Sequence, residues 1–502
     1  MSFLSIDVGS SRCKAAIFSS SGVMLAMRSA VYSPQRSRPG FAELNADVFL
    51  NVVIALATEL AGIPLPEAVE AVCFSSHGET VIPVSAAGQA LGPAILNMDM
   101  RAVGEAAWIE DTVGRRQLFM LTGHTSHAMY SAPKILWLRT HEPEIFNAAR
   151  SFLNVTGYLL LQLGLPPCID FSHASRFLAF DVKRRTWSGA LLELLKTAPE
   201  LLPVTVQAGI IAGRLDSNAA AMLGVAPGTP VVVGGHDQAI GAVGVGAIEP
   251  GRAAGSLGTY ECITVASDQL LLNDAALNAS LNSYPGAVPG QFVTIAYFPG
   301  GIMMQWLGNL LEGTAKSEEE HHFEDLEATA PAAPTGLLIT PHLIGTCNPE
   351  FDAQARAAIG GLTLDSSRSH LYKGILEGIA AELAIVAECL ETAGSAFGDL
   401  NVFGGGVRSA LGLRLRAAFT KKRLHIMSCQ ESVCLGGAML ASVAVGVHPD
   451  LKSAAGAMVH EQECIPHDPL LAEDYMPQIE RYRHFRSTLV HRPHYNNPDR
   501  GE

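Results

Sequence analysis

Asp237 is the residue around which this chain's chemistry gathers. It stands in the small-residue run from Gly235 to Gly246, directly after the apolar Pro230-Val231-Val232-Val233. A short β-branched run closed by glycines predicts a buried strand that ends in a tight turn. In open α/β sheets, ligands bind at the carboxyl ends of strands. A carboxylate placed there can take a proton from a hydroxyl as that group turns acidic in a transition state. An aspartate in a glycine turn is equally a structural turn residue. Other segments have to decide between the two.

A second carboxylate, Asp7, lies in the strand-turn-strand pattern of residues 3–18, whose tip is Gly9-Ser10-Ser11. A tip of glycine and serine offers backbone N–H groups and hydroxyls, which suits a polyphosphate. Asp7 there can anchor Mg²⁺ through water, because Mg²⁺ keeps part of its hydration shell. An ordinary hairpin with Asp-x-Gly at its turn gives the same pattern. Two further glycine turns follow apolar runs, Ala254-Gly-Ser-Leu-Gly-Thr259 and Leu400-Asn-Val-Phe-Gly-Gly-Gly-Val-Arg-Ser409. The second precedes a helical pattern over 411–419, an arrangement that fits a phosphate near a helix N-terminus. Neither has the spacing of a Walker or a Rossmann glycine motif.

The elements that must position these residues are alternating short strands and helices. Apolar spacing of 3.6 predicts helices over 47–61, 191–202 and 368–393. Two halves open with similar glycine turns, Asp7 to Lys14 and Gly255 to Cys262, and residues 245–252 loosen the chain between them. The acidic run 318–327, with His321 and His322, reads as a solvated helix face, not a metal site. The tail from His491 to Pro498 reads as loosely ordered.

Taken in order, these segments resemble the FGGY carbohydrate kinases, a branch of the actin-like sugar-kinase ATPases. The resemblance spans residues 3–445 and rests on Asp7-x-Gly-Ser-Ser-x-x-Lys14, Gly-x-Asp237-Gln, Ser256-Leu-Gly-Thr259 and Gly404-Gly-Gly-Val-Arg-Ser409. Ser131-Ala-Pro-Lys-Ile-Leu-Trp137, Leu376-Glu-Gly-Ile-Ala380 and Glu431-x-x-x-Leu-Gly-Gly-Ala-Met-Leu-Ala441 continue it. It implies an α/β fold of two RNase-H-like domains flanking a catalytic cleft. Residues 1–246 would form the N-terminal domain, 252–446 the nucleotide-binding C-terminal domain, and 447–502 a C-terminal extension.

The resemblance also implies roles. Asp237 would be the catalytic base, with Gln238 beside it at the acceptor. Asp7 would hold Mg²⁺ through water, and Ser10, Ser11 and Lys14 would meet the ATP phosphates with Gly258 and Thr259. Gly301, Gln305, Gly405 and Gly406 would face the nucleotide. Closure of the cleft would exclude water, which competes as phosphoryl acceptor.

The acceptor pocket is less sharply specified. His77, Gly78, Glu79, Asn97, Asp99 and Arg101 are the expected substrate-binding residues. Glu79-Thr80 resembles the Arg-Glu-Thr of glycerol kinases, with Gly78 at the arginine position. His77-Gly78 matches half of the xylulokinase Gln-Met-His-Gly. Asn97 replaces a tryptophan of many relatives, offering a donor and an acceptor in place of an apolar wall. His77 is equally read as a satisfied core histidine, Glu79 as a solvated loop carboxylate, and Arg101 as half of a structural salt bridge with Asp99. Arg414 and Ala418 depart from the family's glutamine and aspartate.

The leading function is therefore an ATP-dependent kinase of a small ketose or polyol, xylulose being the default. A glycerol- or erythritol-like polyol kinase is the alternative, and a nucleotide-dependent switch without sugar turnover is a reading from another class. The chain has 502 residues, 48% of them hydrophobic, enough for two cores. Its net charge of −14 argues against nucleic acid as partner. Nine cysteines lie without a C-x-x-C pair, which points to reduced thiols and a cytoplasmic protein, not to zinc or disulfides. Neither a signal peptide nor a bilayer-spanning stretch is evident, so no membrane partner is expected. A homodimer is the assembly state to test.

Overall fold

The computed structural model describes residues 1–312 and 323–490. Residues 318–322 of the acidic run and the tail from His491 lie outside the described residues; Glu324–Ala328 is a short helix.

Two sheets of related topology organise the chain. The first runs, edge to edge, Ile211–Arg214, Pro230–His236, Val69–Ser76, Ser2–Val8, Arg12–Ser19, Met24–Val31. The second runs Asn282–Pro285, Phe292–Pro299, Tyr260–Ser267, Ala253–Leu257, Leu400–Phe403, Leu424–Met427, Glu461–Ile465. In each, a lead strand turns back through a glycine turn into an antiparallel partner and takes a parallel strand on its other side. Asp7 pairs with Lys14 across one hairpin and Ser75 on the other flank. Ser256 pairs in the same way with Cys262 and Phe403. The faint sequence repeat is thus a clear structural one.

The lead strands carry apolar residues on both faces because helices cover both sides. Helix Asp47–Ala61 buries Phe49, Val53, Leu56, Ala57 and Leu60, the i, i+4, i+7 stripe expected of an amphipathic helix. Helix Arg368–Thr392 begins at a capping box made by Ser367 and His370. The helix expected over 191–202 is shorter. Gly189–Leu195 ends at the left-handed Lys196, and Pro199 opens a separate 3₁₀ turn to Leu201. Proline disfavours helical backbone in the residue before it and lacks the N–H to continue the ladder.

The chain's two halves do not part at the linker. Helix Ser432–Ala444, from the C-terminal half, packs on the N-terminal sheet with Phe3, Cys73, Val232, Ile240 and Val243. It crosses helix Asp237–Gly244 where a Cβ on Gly244 would fall 1.8 Å from the Ser432 carbonyl oxygen, and one on Gly436 2.1 Å from that of Ile240. Only glycine permits that approach. The segment past 446, separated as an extension by its sequence, is integral to the second sheet. Strand Glu461–Ile465 pairs with Leu424–Met427. Helix Pro469–Leu489 is tied to helix Arg368–Thr392 by buried contacts from Tyr475 and Gln478 to Glu377 and from Tyr482 and Arg486 to Glu382.

On that edge, His425, Glu461 and Cys464 converge, but His425 is spent on carboxylates, with Nδ1 3.0 Å from Glu461 and Nε2 3.2 Å from Asp399. Among the described residues, no helix is long and apolar enough to cross a membrane.

Candidate active site

The carboxyl ends of the lead strands and of Pro230–His236 place the site. Asp237 is the first residue of helix Asp237–Gly244, not a turn residue as the sequence suggested. The strand runs directly into the helix, whose N-terminal dipole favours an anion. The Gln238 N–H donates to Asp237 Oδ1 at 2.6 Å, and the side chain remains 26% exposed. Burial and then the charge of Glu79 push its pKa up to about 6.

Asp7 lies at the end of strand Ser2–Val8, one strand removed, with Val69–Ser76 between it and Pro230–His236. Its Oδ1 is buried with no hydrogen-bond partner. Burial, followed by repulsion from Asp237, pushes its pKa up to about 8. A divalent cation would relieve both penalties, so the residues present fit Mg²⁺ held through water. At the hairpin tip Ser10 is half-buried and Ser11 exposed. Lys14, expected to meet phosphate, instead donates to Glu431 at 2.6 Å, a contact between the two halves of the chain.

The acceptor-side residues are held by a network largely invisible in the sequence. Glu79 has φ of 64°, and the Thr80 N–H donates to the Gly78 carbonyl at 2.8 Å, which makes a γ-turn centred on Glu79. That turn is the rarer, strained form, and strain of this kind collects at functional sites. The Glu79 carbonyl is held by Ser131 Oγ and Lys134 Nζ; Lys134 also donates to the carbonyls of Leu96 and Met129. Burial pushes the Lys134 pKa down to about 7, and the three carbonyl contacts make its amine a strut for the turn.

The Glu79 carboxylate is ion-paired with buried Arg176, whose guanidinium lies over the Tyr130 ring at 5.1 Å. Burial opposes the Arg176 charge, but Glu79 together with Tyr130, Tyr284 and Tyr297 raises its pKa well above the usual value. Glu79 is therefore a buried, paired carboxylate and not a solvated loop residue. Gly78 is needed for packing, since a Cβ would stand 2.9 Å from His236 Cδ2 and 3.1 Å from Arg176 Cγ.

His77 departs from the expected hydroxyl-binding role. Nδ1 lies 2.9 Å from the Val8 carbonyl and Nε2 2.7 Å from Thr80 Oγ1, so both ring nitrogens are already occupied. Burial pushes its pKa down to about 4. It braces the turn. Asp99 and Arg101 likewise form a buried cluster. Asp99 accepts from the backbone of Ala42 and Arg101 and from the guanidinium, which also reaches Glu43 at 2.7 Å and covers the Phe41 ring at 3.9 Å. Asn97 stands half-buried beside them, its Oδ1 accepting from the Met98 N–H at 3.0 Å.

The residues expected at the nucleotide do come together. Gly301 and Ile302 donate to the carbonyls of Gly258 and Thr259 at 3.2 and 3.1 Å, seating helix Gly301–Glu312, and with it Gln305, on that turn. Gly404 and Gly406 lie against Leu257, while a Cβ on Gly405 would meet nothing within 4 Å. That opening beside bare backbone fits a nucleotide. Gln430 Oε1 accepts from the Gly404 N–H at 3.0 Å, so Gln430 and Glu431 join the Gly404–Gly406 loop to the hairpin that carries Lys14.

Arg176, His236, Lys134 and Glu431 escaped the sequence reading as site residues. For Arg176 the available signal was a lone basic residue before the apolar Phe177-Leu178-Ala179-Phe180.

Residues 2–244 match the N-terminal domain of the FGGY family of carbohydrate kinases, and residues 253–445 match its C-terminal domain. Xylulose kinase of Lactococcus lactis is 25% identical over 92% of this chain and 91% of its own length. Gluconokinase of Bacillus licheniformis is 26% identical over 88% of this chain and 87% of its own. The ligand-bound crystal structure of Lactobacillus acidophilus xylulose kinase superposes with a TM-score of 0.89 at 24% identity, covering 97% of this chain and 98% of that one.

Proposed function

This chain belongs to the FGGY family of carbohydrate kinases, and from that premise we propose that it transfers the γ-phosphate of ATP to a hydroxyl of a small ketose or polyol, with xylulose as the default acceptor. The observation that carries the proposal is the pairing of Asp237 and Asp7. The first is a partly exposed carboxylate with a pKa of about 6, and the second presents a buried oxygen with no partner. One is poised to accept a proton and the other to anchor a cation.

Bound Mg²⁺ would neutralise phosphate charge, which is its usual contribution in phosphoryl transfer. The protein's own residues do the rest. Asp237 receives the acceptor's hydroxyl proton. Glu79, fixed by Arg176 and the γ-turn, accepts hydrogen bonds from other acceptor hydroxyls, and Asn97 adds polar contact. Ser10, Ser11 and the backbone at Gly258 and Thr259 cradle the phosphates, with Gln305, Gly405 and Gly406 along the nucleotide. Lys14 joins them once released from Glu431.

The Glu79–Arg176 pair also favours a second acceptor class, a glycerol- or erythritol-like polyol, because a paired carboxylate suits adjacent hydroxyls. Free cysteines agree with a reducing, cytoplasmic setting. The test is sugar-stimulated ADP release across xylulose, other ketopentoses, glycerol, erythritol and gluconate, each with Mg²⁺-ATP. Product from a ketopentose supports the default reading, and product from a polyol alone the second. ATP binding without turnover on any acceptor would favour a nucleotide switch.

A further inference from the structure

We propose that His236 is a positioning residue for the general base, and that Tyr284 from the second sheet sets its tautomer. The inference rests on the assignment of Asp237 above.

His236 ends its strand one residue before Asp237, with its ring buried. Nε2 lies 3.4 Å from Asp237 Oδ1, and Nδ1 lies 3.2 Å from the Tyr284 hydroxyl. A neutral imidazole has one N–H to place. A proton on Nδ1 would leave the Nε2 lone pair facing a carboxylate oxygen, a repulsive contact. The buried phenol then donates to Nδ1, which puts the ring's own N–H on Nε2, the nitrogen 3.4 Å from Oδ1.

The imidazole is held from several sides. Its backbone N–H donates to Ser172 Oγ at 2.9 Å, and Ser172 donates to buried Asp170 at 2.5 Å. The rings of His173 and Tyr284 meet it edge-on, with centroids 6.1 and 6.3 Å away. Gly78 leaves room for its edge.

Two donors therefore converge on one carboxylate oxygen. The Gln238 N–H donates to Oδ1 at 2.6 Å and His236 Nε2 stands 3.4 Å from the same oxygen, an arrangement that leaves Oδ2 to take the acceptor's proton. Burial, then the nearby charge of Arg176, holds the His236 pKa well below its usual value. A neutral donor orients the carboxylate without the full positive charge that would drain its basicity. The 3.4 Å separation is long for such a bond, as catalytic contacts in ligand-free enzymes often are.

The test combines His236→Ala, His236→Gln, Tyr284→Phe, Asp237→Asn, and the doubles of His236→Ala with each of the last two. His236→Ala should lower kcat roughly ten- to a hundredfold, the effect of losing a hydrogen bond to a charged group, with both KM values little changed. His236→Gln keeps an N–H that reaches Asp237 and should recover most of that loss. Tyr284→Phe should lower kcat more mildly and add nothing to His236→Ala, while His236→Ala should cost nothing further in Asp237→Asn. Tyr284→Phe removes one hydroxyl and keeps the test alive if the alanine variant does not fold. An inactive Asp237→Asn beside parent-like His236→Ala and Tyr284→Phe would overturn this inference alone, as would losses confined to KM. Asp237→Asn retaining more than about a tenth of turnover would overturn the base assignment itself.

Discussion

Replacing Glu79 by glutamine should move the acid limb of activity to lower pH while weakening acceptor use. Asp237 carries a pKa of about 6 in place of 3.8, worth about 3 kcal/mol between its protonation states. The ionised base is then about nine-tenths of the free enzyme at pH 7 and about one-tenth at pH 5, so kcat/KM should fall roughly tenfold between them. Burial is the larger cause and the Glu79 charge the next; the Gln238 N–H, His173 and Arg176 pull downward. In Glu79→Gln one upward cause is gone, and Arg176 faces Asp237 without its partner. Both changes favour the ionised form, so the variant's limb lies below the parent's. The same substitution leaves a buried guanidinium uncompensated, which costs about 3–5 kcal/mol of stability when a partner is lost outright. Glutamine retains an oxygen for Arg176, so the lower end applies, with a visible fall in Tm. The assay is coupled ADP release from pH 5 to 8.5 with both substrates well below KM. Mg²⁺ is held constant so that its pull on Asp237 is common to both proteins. A parent limb near pH 4, or a variant limb at or above the parent's, would refute the reasoning.

Asp237→Asn should keep fold and nucleotide binding but lose turnover by about 10²–10⁴, read by ATP titration alongside initial rates. Asp7→Ala should raise the Mg²⁺ concentration needed for half-maximal rate. In the parent that requirement should ease as pH rises through about 8, because the cation competes with the proton on Asp7; a flat parent profile would count against Asp7 as the anchor. Lys14→Ala should raise the KM for ATP, whereas Glu431→Gln, which frees Lys14, should lower or preserve it; equal losses in both would make the pair purely structural. Asn97→Trp should shift preference toward acceptors with fewer hydroxyls, measured as kcat/KM ratios across the acceptor panel.

Local sequence carried the repeated unit and its punctuation. The lead strands, helix Asp47–Ala61 and helix Arg368–Thr392 follow from apolar periodicity, which depends only on near neighbours in the chain. The glycine turns at 255–258 and 404–406 were legible because glycine after a short apolar run punctuates the chain whatever surrounds it. Asp237 and Asp7 could be picked out because strand ends and glycine turns leave short-range signals. What their sequence could not convey is how a side chain spends its hydrogen bonds. Whether His77 faces substrate or the Val8 carbonyl, and whether Lys14 faces phosphate or Glu431, depends on groups as much as 417 residues away. The Glu79–Arg176 pair, the seating of helix Ser432–Ala444 on the N-terminal sheet and the closure of the second sheet by residues past 446 are likewise long-range. Periodicity states that a face will be buried, but only the packed structure selects its partner, because burial is non-directional while hydrogen bonds and ion pairs need a particular atom at a particular distance.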